Sequence, residues 1–197
     1  KRATNAIPTA GVTVTEEGKL QMVYNPKFFA PLSDETKKDI LKHEFYHIVF
    51  QHVTGGRFLS FRDMAPNERK IHNIAMDLAI NGHLPNLPEG ACFPGKGPFE
   101  HLEPFKTAEH YLRELRKMQK DQPPEGEGEG EGQGGGQGGT PGSGGGQGQG
   151  NPLDGLDSFD DHSGWDEMDD QTKQIAEERI KEFIKDAVEE ANTSSRG

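Results

Sequence analysis

The sequence has one cysteine, little basic charge and no long apolar run, and each shortage excludes a class of protein. Cys92 alone cannot form an internal disulfide, which favours a reducing, cytoplasmic location. Lysine and arginine number 22 against 33 acidic residues, for a formal net charge of -11. Neither a nucleic acid nor an anionic membrane surface is therefore an expected partner. No segment approaches the roughly 18 apolar residues of a membrane-spanning helix.

Apolar residues are also scarce, at 30% of the chain, while glycine is abundant, with 26 residues. Most of the glycine lies within residues 121–151, in Glu-Gly and Gly-Gln repeats that cannot bury enough apolar surface to offset their ordering entropy. We expect a folded domain over residues 1–120, a disordered linker over 121–151, and an acidic segment with a C-terminal helix over 152–197. Because the chain starts at Lys1, a processed or truncated N-terminus is compatible with the sequence.

Local patterns predict a hairpin followed by several helices. Alternating apolar residues around Glu16-Glu17-Gly18 indicate two antiparallel strands within residues 11–25. Apolar residues at helical spacing, with capping residues before them, predict the helices. The expected helices run from Ser33 or Asp34 to about Val53, from about Asn67 to Asn81, from Thr107 onward, and from about Gln171 to Asn192. The helix after Thr107 is amphipathic, and its expected inner face consists of Ala108, Tyr111, Leu112, Leu115 and Met118.

Two histidines four positions apart carry the strongest functional signal. On a helix, His43 and His47 project from one face about one turn apart, so two imidazole nitrogens can reach one zinc ion. Glu44 follows His43 directly and can accept a proton from a metal-activated water without binding the metal itself. This His-Glu-x-x-His pattern is typical of zinc peptidases. It predicts His43 and His47 as metal ligands and Glu44 as the catalytic base.

A catalytic zinc usually has three protein ligands and a water, and we expect Asp77 to be the third. An acidic residue is costly inside a helix as apolar as 71–81 unless it has a partner. Asn73, Asp77 and Asn81 recur every four residues and form one polar stripe. Asp77 would bind the metal, with Asn73 and Asn81 supporting the ligands by hydrogen bonds. The alternative is a buried polar network without metal.

Other candidate ligands remain open. His52 falls on the face opposite His43 if the helix continues, because no glycine lies between His47 and His52 to turn the chain back. His162, in Asp-His-Ser-Gly-Trp, would reach the site if this segment folds back with Trp165 as its anchor. The alternative for His162 is a solvated histidine, with Trp165 packed on the last helix.

Taken together, these features resemble a family of bacterial and phage metallopeptidases whose zincin-like N-terminal domain often precedes a von Willebrand A-like domain. The resemblance rests on His43-Glu44-x-x-His47 followed by His52, on the helix motif around Asp77, on the glycine-rich linker and on the Asp-Asp-His-Ser-Gly-Trp stretch. It covers most of residues 10–190. It implies a zincin-like fold and zinc bound by His43, His47 and Asp77. Residues 1–197 depart from the two-domain pattern, so we expect either that a von Willebrand A-like partner domain was cut away or that this is a shorter version of the kind phages encode.

The predicted fold is α+β, with a small antiparallel sheet packed on two active-site helices. The leading hypothesis for function is a zinc-dependent peptidase acting on a peptide or protein, with residues 19–24 as the edge strand that pairs with substrate. A zinc-stabilised structural or interaction protein is the second hypothesis, and a hydrolase of another amide is the third. Two histidines and a carboxylate would also bind cobalt, manganese or iron.

Overall fold

A computed structural model describes residues 1–54, 64–120, 162, 165 and 169–194. The expected linker, 121–151, lies outside the described residues. Within them the fold is α+β, as predicted, with five α-helices and one three-stranded sheet. The strands are β1 (Arg2–Ala3), β2 (Ala10–Val14) and β3 (Leu20–Tyr24). The helices are α1 (Pro26–Phe29), α2 (Asp34–Val49), α3 (Pro66–Asn81), α4 (Ala108–Lys120) and α5 (Asp170–Ser194).

The predicted hairpin is confirmed, but the sheet is mixed rather than purely antiparallel. β2 and β3 pair antiparallel, and the short β1 pairs parallel with the other side of β3. A two-residue strand has no periodicity to detect, so no sequence pattern predicts β1. The strand order β1-β3-β2 puts β3 in the middle. Residues 19–24 are therefore not the edge strand that we expected, and β2 is.

The register of the hairpin decides which groups of β2 face outward. Asn25 N–H donates to Thr9 O at 2.7 Å, and Val12 lies opposite Met22. In an antiparallel pair the bonded residues alternate, so the odd-numbered residues of β2 bond to β3. The backbone groups of Val12 therefore point away from β3, along the edge of the sheet.

Helix α2 begins as predicted and ends earlier than predicted. The Ser33 side chain accepts a hydrogen bond from Thr36 N–H and caps the first turn. The helix ends at Val49 rather than near Val53, because Gln51 adopts a left-handed conformation with φ of 59°. The His52 N–H then bonds to His47 O, and the Gln51 N–H bonds to Ile48 O. These two bonds form a Schellman motif, a stop that usually requires glycine.

Helix α3 is the buried centre of the domain. It starts at Pro66, whose missing N–H costs nothing at the first helical position. Residues 74–81 of this helix are all buried, and α3 packs most extensively on α4. The predicted inner face of α4 is confirmed, with Tyr111 and Leu115 fully buried. Thr107 caps α4 by accepting a bond from His110 N–H.

Helix α5 covers the hairpin turn and contacts α2. Arg179 donates to Glu17 O at 2.8 Å, next to Gly18 in the turn. Gly18 has φ of +70°, and a Cβ there would lie 2.5 Å from the Ile175 side chain. Glycine is thus required at this position both by the backbone and by the close approach of α5. In the part of the chain described, no helix combines the length and apolarity that crossing a bilayer requires.

Asp39 ties α2 to the loop that follows α3. It is 3% exposed, and its Oδ2 accepts hydrogen bonds from both the backbone and the side-chain N–H of Asn86, each at 3.0 Å. Burial by itself would raise the pKa of Asp39. The hydrogen bonds from Asn86, together with Lys42, outweigh burial and hold the pKa below its ordinary value of 3.8.

Asp39→Asn is therefore expected to destabilise the fold by about 1–2 kcal/mol at neutral pH. A depressed carboxyl pKa contributes stability above the unfolded pKa and loses it as pH falls through the folded one. The difference in the free energy of unfolding between wild type and Asp39→Asn should accordingly vanish in acid. Urea unfolding from neutral to acidic pH measures this difference, with the exposed Asp186→Asn as control. A difference that persisted in acid would contradict the assignment.

Candidate metal centre

Two ligands from α2 and one from α3 converge in the interior of the domain. His43, His47 and Asp77 are each 0% exposed. The Nε2 atoms of the two histidines lie 2.9 Å apart. Asp77 Oδ1 lies 3.3 Å from His47 Nε2 and 3.7 Å from His43 Nε2. The fold thus brings together the three residues predicted from the sequence as metal ligands.

His162 joins them from the far side of the glycine-rich tract. It is 8% exposed, and its Nε2 lies 4.0 Å from Asp77 Oδ1. The four residues His43, His47, Asp77 and His162, called the ligand cluster below, each offer one ligand atom, and these atoms all lie within 4.8 Å of one another. The fold-back that the sequence left open for His162 therefore occurs in the structure.

The hydrogen bonds of Asn81 assign the tautomer of His43. Asn81 Nδ2 donates to Cys92 O at 2.8 Å, which fixes the orientation of the amide. Its Oδ1 then faces His43 Nδ1 at 2.8 Å. Because an amide oxygen only accepts, Nδ1 carries a proton, and in the neutral imidazole His43 Nε2 then presents a lone pair to the cluster. Asn81 thus has the supporting contact that we expected of it.

His52 supports the second histidine, contrary to the expectation that it lies on the opposite face. The Schellman motif turns the chain back, and His52, 2% exposed, places its Nδ1 3.1 Å from His47 Nδ1. When the His47 Nδ1–H donates to His52, His47 Nε2 also presents a lone pair. His52 lies outside the ligand cluster and touches a ligand instead of joining the set.

Asn73 does not share the role expected for it. It is half-buried, and its side-chain oxygen accepts no hydrogen bond from the described residues. The four-residue spacing that placed Asn81 beside His43 carries Asn73 one turn beyond Asp77, toward the start of α3.

Three members of the ligand cluster, His43, His47 and Asp77, have spacings close to those around a tetrahedral metal ion. Zinc with nitrogen and oxygen ligands at about 2.0–2.2 Å separates its ligand atoms by about 3.3–3.6 Å. The distances from Asp77 Oδ1 to the two α2 histidines, 3.3 and 3.7 Å, lie close to this range. The His43 and His47 lone pairs face each other at 2.9 Å, an arrangement that a cation or a shared proton between them stabilises. Three imidazoles and a carboxylate are a donor set that suits zinc.

Glu44 lies beside the ligand cluster without belonging to it. It is 2% exposed and lines a cavity of about 330 Å³ between α2 and the sheet. The remaining wall is mostly apolar: Val12, Leu20, Met22, Leu41, Phe45 and Ile48. Glu44 follows His43 on the helix, so its carboxylate turns toward the sheet while the histidines face α3.

Comparison with known proteins identifies the family. A family model described as "putative metallopeptidase domain" matches residues 3–195, nearly the whole chain, and the chain therefore belongs to that family. No curated protein and no solved structure matches it. The family description and the ligand cluster, which was located independently of it, both indicate metal binding.

Metal content tests the cluster directly. We expect about one zinc per chain in the purified protein, and its loss in His47→Ala and in Asp77→Ala, because each change removes a buried ligand. Inductively coupled plasma mass spectrometry measures it. The exposed His101→Ala is the matched control and should keep the metal. Full zinc content in Asp77→Ala would remove Asp77 from the ligand set.

The contact between His52 and His47 predicts a second effect. His52→Ala should weaken zinc affinity by about 10–100-fold, the usual cost of losing a group that orients a metal ligand. His52→Asn, which can present an acceptor near the same place, should recover part of the loss. Competition with a chromophoric chelator measures both variants. Equal affinities for wild type and His52→Ala would show that His52 only fills space.

Proposed function

We propose that this chain is a zinc-dependent peptidase in which Glu44 is the general base. The observation that carries the proposal is the position of Glu44. It is a buried carboxylate next to the ligand cluster, it is absent from that cluster, and it faces a cavity. Holding a metal requires no such group, whereas hydrolysis does.

The chemistry assigns a separate task to each residue. His43, His47 and Asp77 would hold the ion, which when bound supplies an electrophile and makes nearby water more acidic. Glu44 accepts a proton from water in the cavity as that water attacks the scissile carbonyl carbon. When the C–N bond breaks, Glu44 returns the proton to the leaving amine. Asn81 and His52 contact the Nδ1 atoms of His43 and His47, and would in this way orient the Nε2 atoms of the two histidines for binding the ion.

The sheet supports a peptide as the substrate class. An extended peptide binds proteins by adding a strand to an open sheet edge. β2 is one of the two edge strands, and Val12 directs its backbone groups away from β3. The apolar wall of the cavity would receive a hydrophobic side chain next to the scissile bond.

The second candidate function is a zinc-stabilised structural or interaction protein without turnover. The observation in its favour is the number of ligands, because structural zinc sites are closed by four protein groups whereas catalytic sites keep one position open. The ligand cluster offers four groups, including His162. The role of His162 therefore decides between an open and a closed site.

Glu44→Gln separates the two functions. The change keeps the shape of the side chain and removes the base, so a peptidase should lose at least about 100-fold in kcat while keeping its zinc. Glu35→Gln makes the same chemical change at an exposed position of the same helix and should behave as wild type. Turnover of a fluorogenic peptide library and metal content are the measurements. A library cleaved equally by wild type and Glu44→Gln would exclude Glu44 as the base.

A further inference from the structure

His162 and Trp165 lie against the ligand cluster although they are far in sequence from His43, His47 and Asp77. His162 is 8% and Trp165 2% exposed. The two rings stack, with centroids 4.1 Å apart and planes 29° apart. Both rings also contact His47, at centroid distances of 4.8 and 5.2 Å. They form one aromatic unit that packs against the His47 ring.

Trp165 also binds the edge strand. Its indole N–H donates to Val12 O at 2.7 Å, a buried hydrogen bond between residues far apart in sequence. The Val12 carbonyl is one of the groups that β2 directs away from β3. Trp165 therefore takes the place where the backbone N–H of an added strand would bond.

His162 lies where the carbonyl group of a substrate would have to bind. A scissile carbonyl must approach the ion at the position that the three ligands His43, His47 and Asp77 leave open. The Nε2 of His162 lies 4.0 Å from Asp77 Oδ1, and His162 offers a ligand atom within 4.8 Å of those of the three ligands, so it is placed to fill that position. This 4.0 Å separation is the longest of the distances from Asp77 to the three histidines.

We propose that His162 and Trp165 form an intramolecular plug that occupies the fourth ligand position and the Val12 edge, and that an incoming peptide must displace it. The inference rests on the proposed function, because that function identifies a peptide as the molecule that displaces the plug. The plug explains why a site with four possible ligands also has a candidate base in Glu44. With the plug bound the metal site is closed, and with the plug displaced it has three protein ligands and an open position. With the plug present, the apparent affinity for a competing ligand equals its intrinsic affinity multiplied by the fraction of molecules in which the plug is displaced.

The single tryptophan of the chain makes the plug directly observable. Full-length, zinc-loaded protein is titrated with acetohydroxamate, a small zinc chelator that needs open positions on the ion. Binding to wild type should shift the Trp165 emission to the red as the indole leaves its buried place. His162→Ala should bind acetohydroxamate at least about tenfold more tightly. His101→Ala, the matched control, should behave as wild type.

Cobalt substitution gives a second readout that does not depend on turnover. Replacement of His162 by water changes the ligand field, so the visible spectrum of cobalt-loaded His162→Ala should differ from wild type, whereas that of His101→Ala should not. If His162→Ala does not fold, Trp165→Phe takes its place. This variant loses the bond to Val12, and calorimetry should show tighter acetohydroxamate binding for it.

Two outcomes overturn the plug. One is equal acetohydroxamate affinity in wild type and His162→Ala with unchanged Trp165 emission. The other is loss of zinc from folded His162→Ala, which would make His162 a permanent ligand. A different result would contradict the proposed function. If the protein shows the acetohydroxamate and cobalt responses but hydrolyses no peptide, the plug is supported and only the peptidase activity is contradicted.

Discussion

The structure depends on a charged group placed where charge is most costly. Asp77 is fully buried in α3, among residues as apolar as Ile74, Leu78 and Ile80. An isolated carboxylate there would cost many kcal/mol, so it requires a cation or a dense set of donors. The histidines of α2 face it, and an ion shared among them would neutralise the group. Metal binding and the packing of α2 on α3 are then one equilibrium, as in other metal-dependent folds.

The local part of this arrangement was predictable from the sequence. A spacing of four positions on a helix puts His43 beside His47 whatever the rest of the chain does, and the apolar run around Asp77 marks that residue as buried. The hairpin and the inner face of α4 follow equally from periodicity. Each of these predictions needs only neighbours within about one helical turn or one strand pair.

Contacts between distant segments were not predictable in the same way. Gln51 adopts a left-handed conformation that glycine normally supplies, so the sequence around it carries no signal of the turn that brings His52 to His47. β1 is too short to show a pattern. His162 and Trp165 are placed by tertiary packing and by one hydrogen bond to Val12, and a single sequence reports such contacts only as open alternatives.

The contact between His162 and Asp77 has a consequence for how the family can vary. The two residues are joined through the glycine-rich tract, and the free energy of closing a loop rises only with the logarithm of its length, about 0.6 kcal/mol for each doubling. Insertions and deletions in that tract therefore change the closure of the metal centre very little. The contact therefore limits the length of the tract only weakly, whereas it depends directly on the His162 side chain.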